Sequence, residues 1–204
     1  MNHFARFFLI TLACLSFGSF AMSATSVTPP ATKTAMFAGG CFWCMQPAFD
    51  GTKGVISTSV GYSGGEAKTA TYEQVSTGTT GHEEVIQVTY DPKQVGYEAL
   101  LETFFENIDP TDEGGQFADR GSQYKTAIYF ADDAQKNAAQ KALDTLAVKF
   151  APAPIKVALK PATPFYAAED YHQKYYQKNS AHYNAYKHGS GRADYIEKTW
   201  GNKQ

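Results

Sequence analysis

Gly40-Cys41-Phe42-Trp43-Cys44 follows a short apolar run and opens a stretch with helical spacing, so a thiol falls where a strand turns into a helix. At such a position backbone N–H groups and the helix dipole favour the thiolate and lower the thiol pKa. Gly39 and Gly40 let another molecule approach closely. A thiolate placed there is a nucleophile at neutral pH. Cys44 lies three residues on. Helical residues at that spacing have Cβ atoms roughly 5–6 Å apart, against about 3.8 Å in a disulfide, so a small rearrangement of the first turn closes Cys41 onto Cys44. Redox, metal-binding and structural uses share this spacing, and the pair alone leaves all three open.

Glu84 narrows the chemistry. In the strand expected over Glu83 to Tyr90, Glu84 shares parity with Ile86, Val88 and Tyr90, the more apolar face. It is expected to point inward, partly desolvated, with a raised pKa. A carboxylic acid kept protonated near neutral pH can donate a proton. The competing reading is a strand-end carboxylate that reaches water. Tyr72 and Tyr124 each edge an element beside a Gly-containing loop, where a phenol can hydrogen-bond a substrate oxygen. With 13 tyrosines in the chain, ordinary packing competes for each. Phe42 and Trp43 flank the thiol and either wall an apolar pocket or pack in the core. Phe49 is expected in the core. His82, His172, His182 and His188 have no ligand spacing and read as surface or capping residues, so no metal is expected.

These residues need elements to hold them. Thr34 to Ala38 reads as a buried strand, Phe42 to Asp50 as a helix and Gly54 to Tyr62 as a strand. Thr71 to Val75 reads as a helical turn, and Tyr97, Leu100, Leu101, Phe104 and Phe105 form one amphipathic helix face. Asp109 to Ser122 is a Gly- and Asp-rich loop, followed by a strand over Tyr124 to Phe130. Asp132 or Asp133 caps a long helix that reaches Phe150. Ile155, Val157 and Leu159 alternate as a strand, Phe165 to Tyr176 reads as helix, and the last 25 or so residues read as an extended tail. Alternating strands and helices imply an α/β two-layer sandwich with split βαβ units, a ferredoxin-like mixed sheet.

The chain has 204 residues, 43% apolar and 19% charged, with a net charge of −2. That suffices for one packed domain. The balance lacks the basic footprint of a nucleic-acid binder. No apolar run reaches the length of about 18 residues that a membrane span requires. Three cysteines are too few for a disulfide framework or a four-Cys zinc site. Residues 1–24 read as a signal peptide: Arg6 precedes an apolar stretch, and small residues follow at a cleavage site near 21–24. Residues 25–33 read as a linker and residues 34–204 as a single domain. Cleavage removes Cys14 and places Cys41 and Cys44 in a periplasmic or secreted protein, where dithiols tend to be oxidised.

The chain resembles the peptide methionine sulfoxide reductase A family. The resemblance rests on Gly40-Cys41-Phe42-Trp43-Cys44, Gly61-Tyr62-Ser63-Gly64-Gly65, Thr71-Tyr72, Thr80-Gly81-His82-Glu83-Glu84-Val85 and Val88-Thr89-Tyr90-Asp91-Pro92. It continues through Asp109-Pro110-Thr111, Asp119-Arg120-Gly121-Ser122-Gln123-Tyr124 and Phe165-Tyr166-Ala167-Ala168-Glu169-Asp170-Tyr171-His172-Gln173. It implies that Cys41 attacks the sulfoxide sulfur, that Glu84 protonates the oxygen, and that Tyr72 and Tyr124 hydrogen-bond it. It further implies that Phe42 and Trp43 hold the S-methyl group and that Asp119 helps position the substrate. The substrate implied is the S epimer of methionine sulfoxide, free or in oxidised proteins. The sulfenic acid left on Cys41 is reduced through a disulfide, with a thioredoxin-like donor restoring the thiol and no cofactor.

Two departures stand out. Gln46 replaces a Glu that many relatives carry, and the C-terminal tail has no resolving cysteine, which leaves Cys44 as the internal candidate. A one-cysteine cycle resolved by an external thiol is the alternative. Two rival functions remain: a thioredoxin-like dithiol oxidoreductase, which would not need Glu84, Tyr72 and Tyr124 near Cys41, and a soft-metal carrier using both thiolates.

Overall fold

The computed structural model describes Met1 and residues 31–201. The expected signal peptide with Cys14, and the linker up to residue 30, lie outside the described residues. In chain order, β1 (Lys33–Gly39) leads into α1 (Phe42–Asp50), β2 (Val55–Ser63), α2 (Tyr72–Val75), β3 (Glu83–Tyr90) and α3 (Tyr97–Phe105). A small ribbon of β4 (Gly115–Gln116) and β5 (Asp119–Arg120) interrupts the expected loop. Then come β6 (Thr126–Phe130), α4 (Asp133–Phe150), β7 (Ala158–Pro161), β8 (Tyr166–Ala167), α5 (Tyr175–Lys178), α6 (Ser180–Gly189) and α7 (Arg192–Trp200).

The six-stranded sheet has the order β7-β6-β1-β3-β2-β8. β3 pairs antiparallel with both β1 and β2, so β1 and β2 run parallel with β3 between them: a split βαβ unit around α1. β1 lies in the same way between β3 and β6, which makes a second split unit around α3. β7 adds in parallel to β6, giving the mixed sheet expected.

Strand alternation divides the sheet into two faces. Ala35, Phe37, Ile86, Val88 and Ile128 meet the helices, and the Phe37 ring stacks on Phe49 of α1 at 5.3 Å and Phe104 of α3 at 5.1 Å. Met36, Ala38, Val85, Ala127 and Tyr129 form the opposite face, covered by Ala158 and Phe165. Among the described residues no helix is long and apolar enough to cross a membrane.

Three expectations fail locally. The C-terminal segment is helical, not extended. Its few anchors, Tyr183 and Ile196, are buried, and Lys149 of α4 lies 3.2 Å over the Trp200 ring, so sparse aromatic contacts hold two otherwise polar helices down. Residues 165–174 are not helical. Tyr166 and Ala167 pair with Tyr62 and Gly61 at the sheet edge. A Cβ on Gly61 would stand 2.2 Å from the Tyr166 carbonyl oxygen. Gln173 extends this edge with its side chain, accepting from Val60 N–H at 3.0 Å and donating to the Val60 carbonyl at 2.8 Å. The strand expected over 155–159 begins at Ala158 instead, because pairing to Ala127 through Phe130 sets its register.

Candidate active site

β1 delivers Cys41 to the N-cap of α1 through Gly40, whose φ of +76° lies in the left-handed region. A Cβ there would also fall 2.6 Å from the Gln116 side chain. The first helical N–H, that of Phe42, has no partner within the helix. It donates 3.0 Å to Oε2 of Glu84, brought across the sheet at the start of β3. One hydrogen bond thus caps the helix from a neighbouring strand and sets a carboxyl beside the Cys41 peptide.

Glu83 and Glu84 point to opposite faces, as the parity predicts, and both are buried. Glu83 accepts from Tyr129 Oη and from Lys160 Nζ, so a cation neutralises it. Among the described residues no cation pairs with Glu84. Burial pushes its carboxyl up to about 8, only partly offset by the Phe42 N–H, so it is protonated at neutral pH.

The thiolate expected at Cys41 is not the resting state. Burial, the most important influence, pushes the Cys41 thiol well up, and Cys44, Glu84 and Asp119 add to it. Desolvation here outweighs the helix terminus. The Cys41 S–H donates to Cys44, which lowers the Cys44 thiol, with further help from Arg192 and Lys187. Of the two thiols, Cys41 holds its proton the more firmly. Cys44 also lines a cleft of about 690 Å³ between α1, α3, α6 and α7, where Asn107, Lys187, Glu197 and Trp200 face it.

Tyr72 opens α2, anchored by its backbone N–H to Glu169 Oε1 at 2.8 Å, and Tyr124 ends the 3₁₀ turn Ser122–Tyr124. Burial raises both phenols, and the charges of Glu84, Cys41 and Asp119 reach both. Among the described residues neither phenol oxygen has a hydrogen-bond partner. Phe42 is buried against Tyr62 and His172, with ring centroids at 5.9 and 5.1 Å. Trp43 is half-buried, stacked on Tyr175 at 3.8 Å, and its Nε1 donates to His172 Nδ1 at 3.0 Å. Asp119, on β5, accepts from Tyr186 Oη, and burial pushes its carboxyl up against the pull of Tyr186 and Arg192. Cys41, Glu84, Tyr72, Tyr124 and Asp119 therefore fall within reach of one another's charge, Cys44 within reach of Cys41, Glu84 and Asp119, and Phe42 and Trp43 lie on the same helix turn.

The histidine reading is corrected in part. His182 and His188 are exposed, but His82 and His172 are buried. His82 braces the Gly64-Gly65 turn, accepting from Gly65 N–H. Burial lowers His172, and Nδ1 is occupied as an acceptor from Trp43, so the neutral ring carries its proton on Nε2. Gln46 is fully buried: it donates to Thr58 Oγ1 and accepts from Lys174 N–H. It works as a structural amide joining α1 to the turn before α5. Glu169, Tyr186 and Arg192, which no sequence signal marked individually, surround the site together with His172. Glu169 and His172 lie in the Phe165 to Gln173 motif, whereas Tyr186 and Arg192 reach the site only through the helical C terminus.

A buried thiol with a protonated carboxyl and a second thiol beside it defines an oxidoreductase that works by two-electron sulfur chemistry. The comparisons give the particular kind. The family model described as Peptide methionine sulfoxide reductase matches residues 33–204. The chain is 50% identical over 170 residues to Peptide methionine sulfoxide reductase MsrA of Bacillus subtilis, covering 83% of this chain and 96% of that protein. It is 49% identical to the protein of the same name from Bacillus pumilus, with the same coverage. Methionine sulfoxide reductase A of Corynebacterium diphtheriae superposes with a TM-score of 0.69 at 38% identity, covering 74% of this chain and 76% of that one. Reduced Mxr1 of Saccharomyces cerevisiae gives 0.68 at 31% identity, covering 73% and 86%. The chain belongs to the peptide methionine sulfoxide reductase family; it is an oxidoreductase of the peptide-methionine (S)-S-oxide reductase class.

Proposed function

We propose that Cys41 attacks the sulfoxide sulfur while Glu84 delivers its proton to the oxygen. The observation that carries this reading is the buried Glu84 carboxyl, kept protonated by its burial and held beside Cys41 by the same Phe42 N–H that starts the helix. Tyr72 and Tyr124 hydrogen-bond the oxygen as negative charge gathers on it. Phe42 and Trp43 hold the S-methyl group, and Asp119 orients the rest of the substrate. The sulfoxide oxygen passes to Cys41: methionine leaves reduced, Cys41 is oxidised to the sulfenic acid, and the thiol proton restores Glu84.

Cys44 then resolves the sulfenic acid as a disulfide with loss of water, and a thioredoxin-like dithiol reduces that disulfide. Cys41 and Cys44 are the only cysteines from residue 15 onward, so the chain left after signal cleavage has one intramolecular disulfide available. Cys44→Ser tests this cycle. A single turnover is expected to release methionine at the wild-type rate, while steady-state turnover with a thioredoxin-type donor falls at least tenfold. Wild-type turnover of Cys44→Ser would assign resolution to an external thiol.

The signal-like start of the chain supports export and repair of oxidised proteins outside the cytoplasm. N-terminal sequencing of the protein recovered from the periplasm or medium is expected to begin near residues 22–25; an intact Met1 on cytoplasmic protein would refute export.

A further inference from the structure

Arg192 has less than 2% of its surface exposed, and no carboxylate among the described residues pairs with it. Its guanidinium donates to the Gly39 carbonyl at 3.1 Å, to the Asn107 carbonyl at 2.5 Å and to Met45 Sδ at 3.7 Å, and it lies 4.6 Å over the Phe117 ring. Gly39 stands two residues before Cys41 and Met45 one residue after Cys44. One buried cation therefore grips both sides of the dithiol turn from the C-terminal helix α7. A buried charge without a counter-ion is costly. Two carbonyls, a thioether and a ring face are neutral dipoles, and Asp119, an acid that feels this charge, accepts its hydrogen bond from Tyr186 instead. The same charge reaches the sulfur of Cys44 and lowers its thiol.

We propose that Arg192 is a positioning residue for resolution: its buried guanidinium, clamped between Gly39 and Met45, supplies the fixed positive charge against which Cys44 attacks the Cys41 sulfenic acid. The proposal rests on Cys44 being the resolving thiol. In that step the Cys44 thiolate attacks the sulfenic sulfur of Cys41, the S–S bond forms as the S–OH bond breaks, and the departing hydroxide takes the Glu84 proton to leave as water. The sulfenic sulfur is reduced and Cys44 oxidised to the common disulfide level, so no outside oxidant or reductant enters.

The other groups facing Cys44 are Cys41 at the helix cap, Glu84 on β3, Asp119 on β5, and Tyr183, Tyr186 and Lys187 on α6. Glu106, His188 and Glu197 complete the cleft. The Cys41 hydrogen bond holds Cys44 low at rest; once Cys41 is a sulfenic acid that donor is altered, whereas Arg192 stays in place.

The test follows the thiolate band at 240 nm against pH in the Cys41→Ser chain, with the doubly Cys-free protein as blank. Arg192→Met keeps the bulk and removes the charge; Arg192→Lys restores charge. Arg192→Met is expected to raise the Cys44 midpoint by at least one pH unit and to slow loss of the Cys41 sulfenic acid at pH 7 about tenfold, with the initial release of methionine unchanged. Arg192→Lys is expected to recover most of both. An unmoved midpoint, even with a lower melting temperature, overturns the proposal and makes Arg192 a packing residue. A moved midpoint with unchanged sulfenic lifetime instead fails the reading of Cys44 as resolver, and the proposal with it.

Discussion

Cys41→Ser is expected to abolish methionine formation, lowering turnover of an S-sulfoxide peptide with dithiothreitol by roughly 10⁴-fold or more, as removal of a nucleophile does elsewhere. The reaction needs a sulfur that can accept oxygen and then pass through a sulfenic acid, and a serine oxygen has no such oxidation step. Loss of the fold would not explain the result. Serine is a favoured N-cap, and its hydroxyl keeps a donor toward Cys44 in a site of nearly the same size. The buried bond from Phe42 N–H to Glu84 is formed by neither sulfur and persists. Thermal melting of the variant is therefore expected to stay cooperative. Residual turnover within tenfold of wild type, measured by chromatography of the peptide, would mean that Cys44 attacks the substrate and that the roles of the two cysteines are reversed.

What could be read from the residues divides along the range of the interactions. Glu84 was legible because strand parity is local: its neighbours at 86, 88 and 90 fix its face, and the sheet realises that face. The same holds for the Gly39-Gly40 turn into α1, where only backbone conformation is at stake. The protonation of Cys41 was not legible. A helix start argues for a thiolate, but burial beneath α6 and the charges of Cys44, Glu84 and Asp119 argue the other way, and those arise from contacts across the fold. The C-terminal helices escaped for a related reason. Residues 180–200 carry few apolar side chains, and Tyr183, Ile196 and Trp200 succeed as anchors only because α1 and α4 offer them a surface. Tyr186 and Arg192 were lost with them. His172 looked like one more polar residue in an aromatic stretch until the edge strand β8 turned it under Trp43.

Glu84→Gln separates function from stability at one atom. The neutral amide can still accept the Phe42 N–H, so α1 keeps its cap. It cannot release a proton to the sulfoxide oxygen, and loss of a general acid is expected to slow methionine formation by about 10²–10⁴-fold. The pH dependence gives the sign. The wild-type acid is active while protonated, so its single-turnover rate is level below about 8 and falls tenfold per unit above that value; the variant loses this limb. Stability moves the opposite way. Folding raises the Glu84 carboxyl from its ordinary 4.5 to about 8. Between those values the native chain holds a proton that the unfolded chain has released, so wild-type stability declines as pH climbs through this window and levels off above it. Glutamine carries no such penalty. Glu84→Gln is expected to match wild type near pH 4 and to exceed it by on the order of 2–4 kcal/mol at pH 8 in urea denaturation. An enzyme that is slower and more stable at the same residue identifies burial of this carboxyl as a functional strain. A variant equally slow but without the gain at high pH would show Glu84 ionised at rest, and the proton would then have to come from the Cys41 thiol itself.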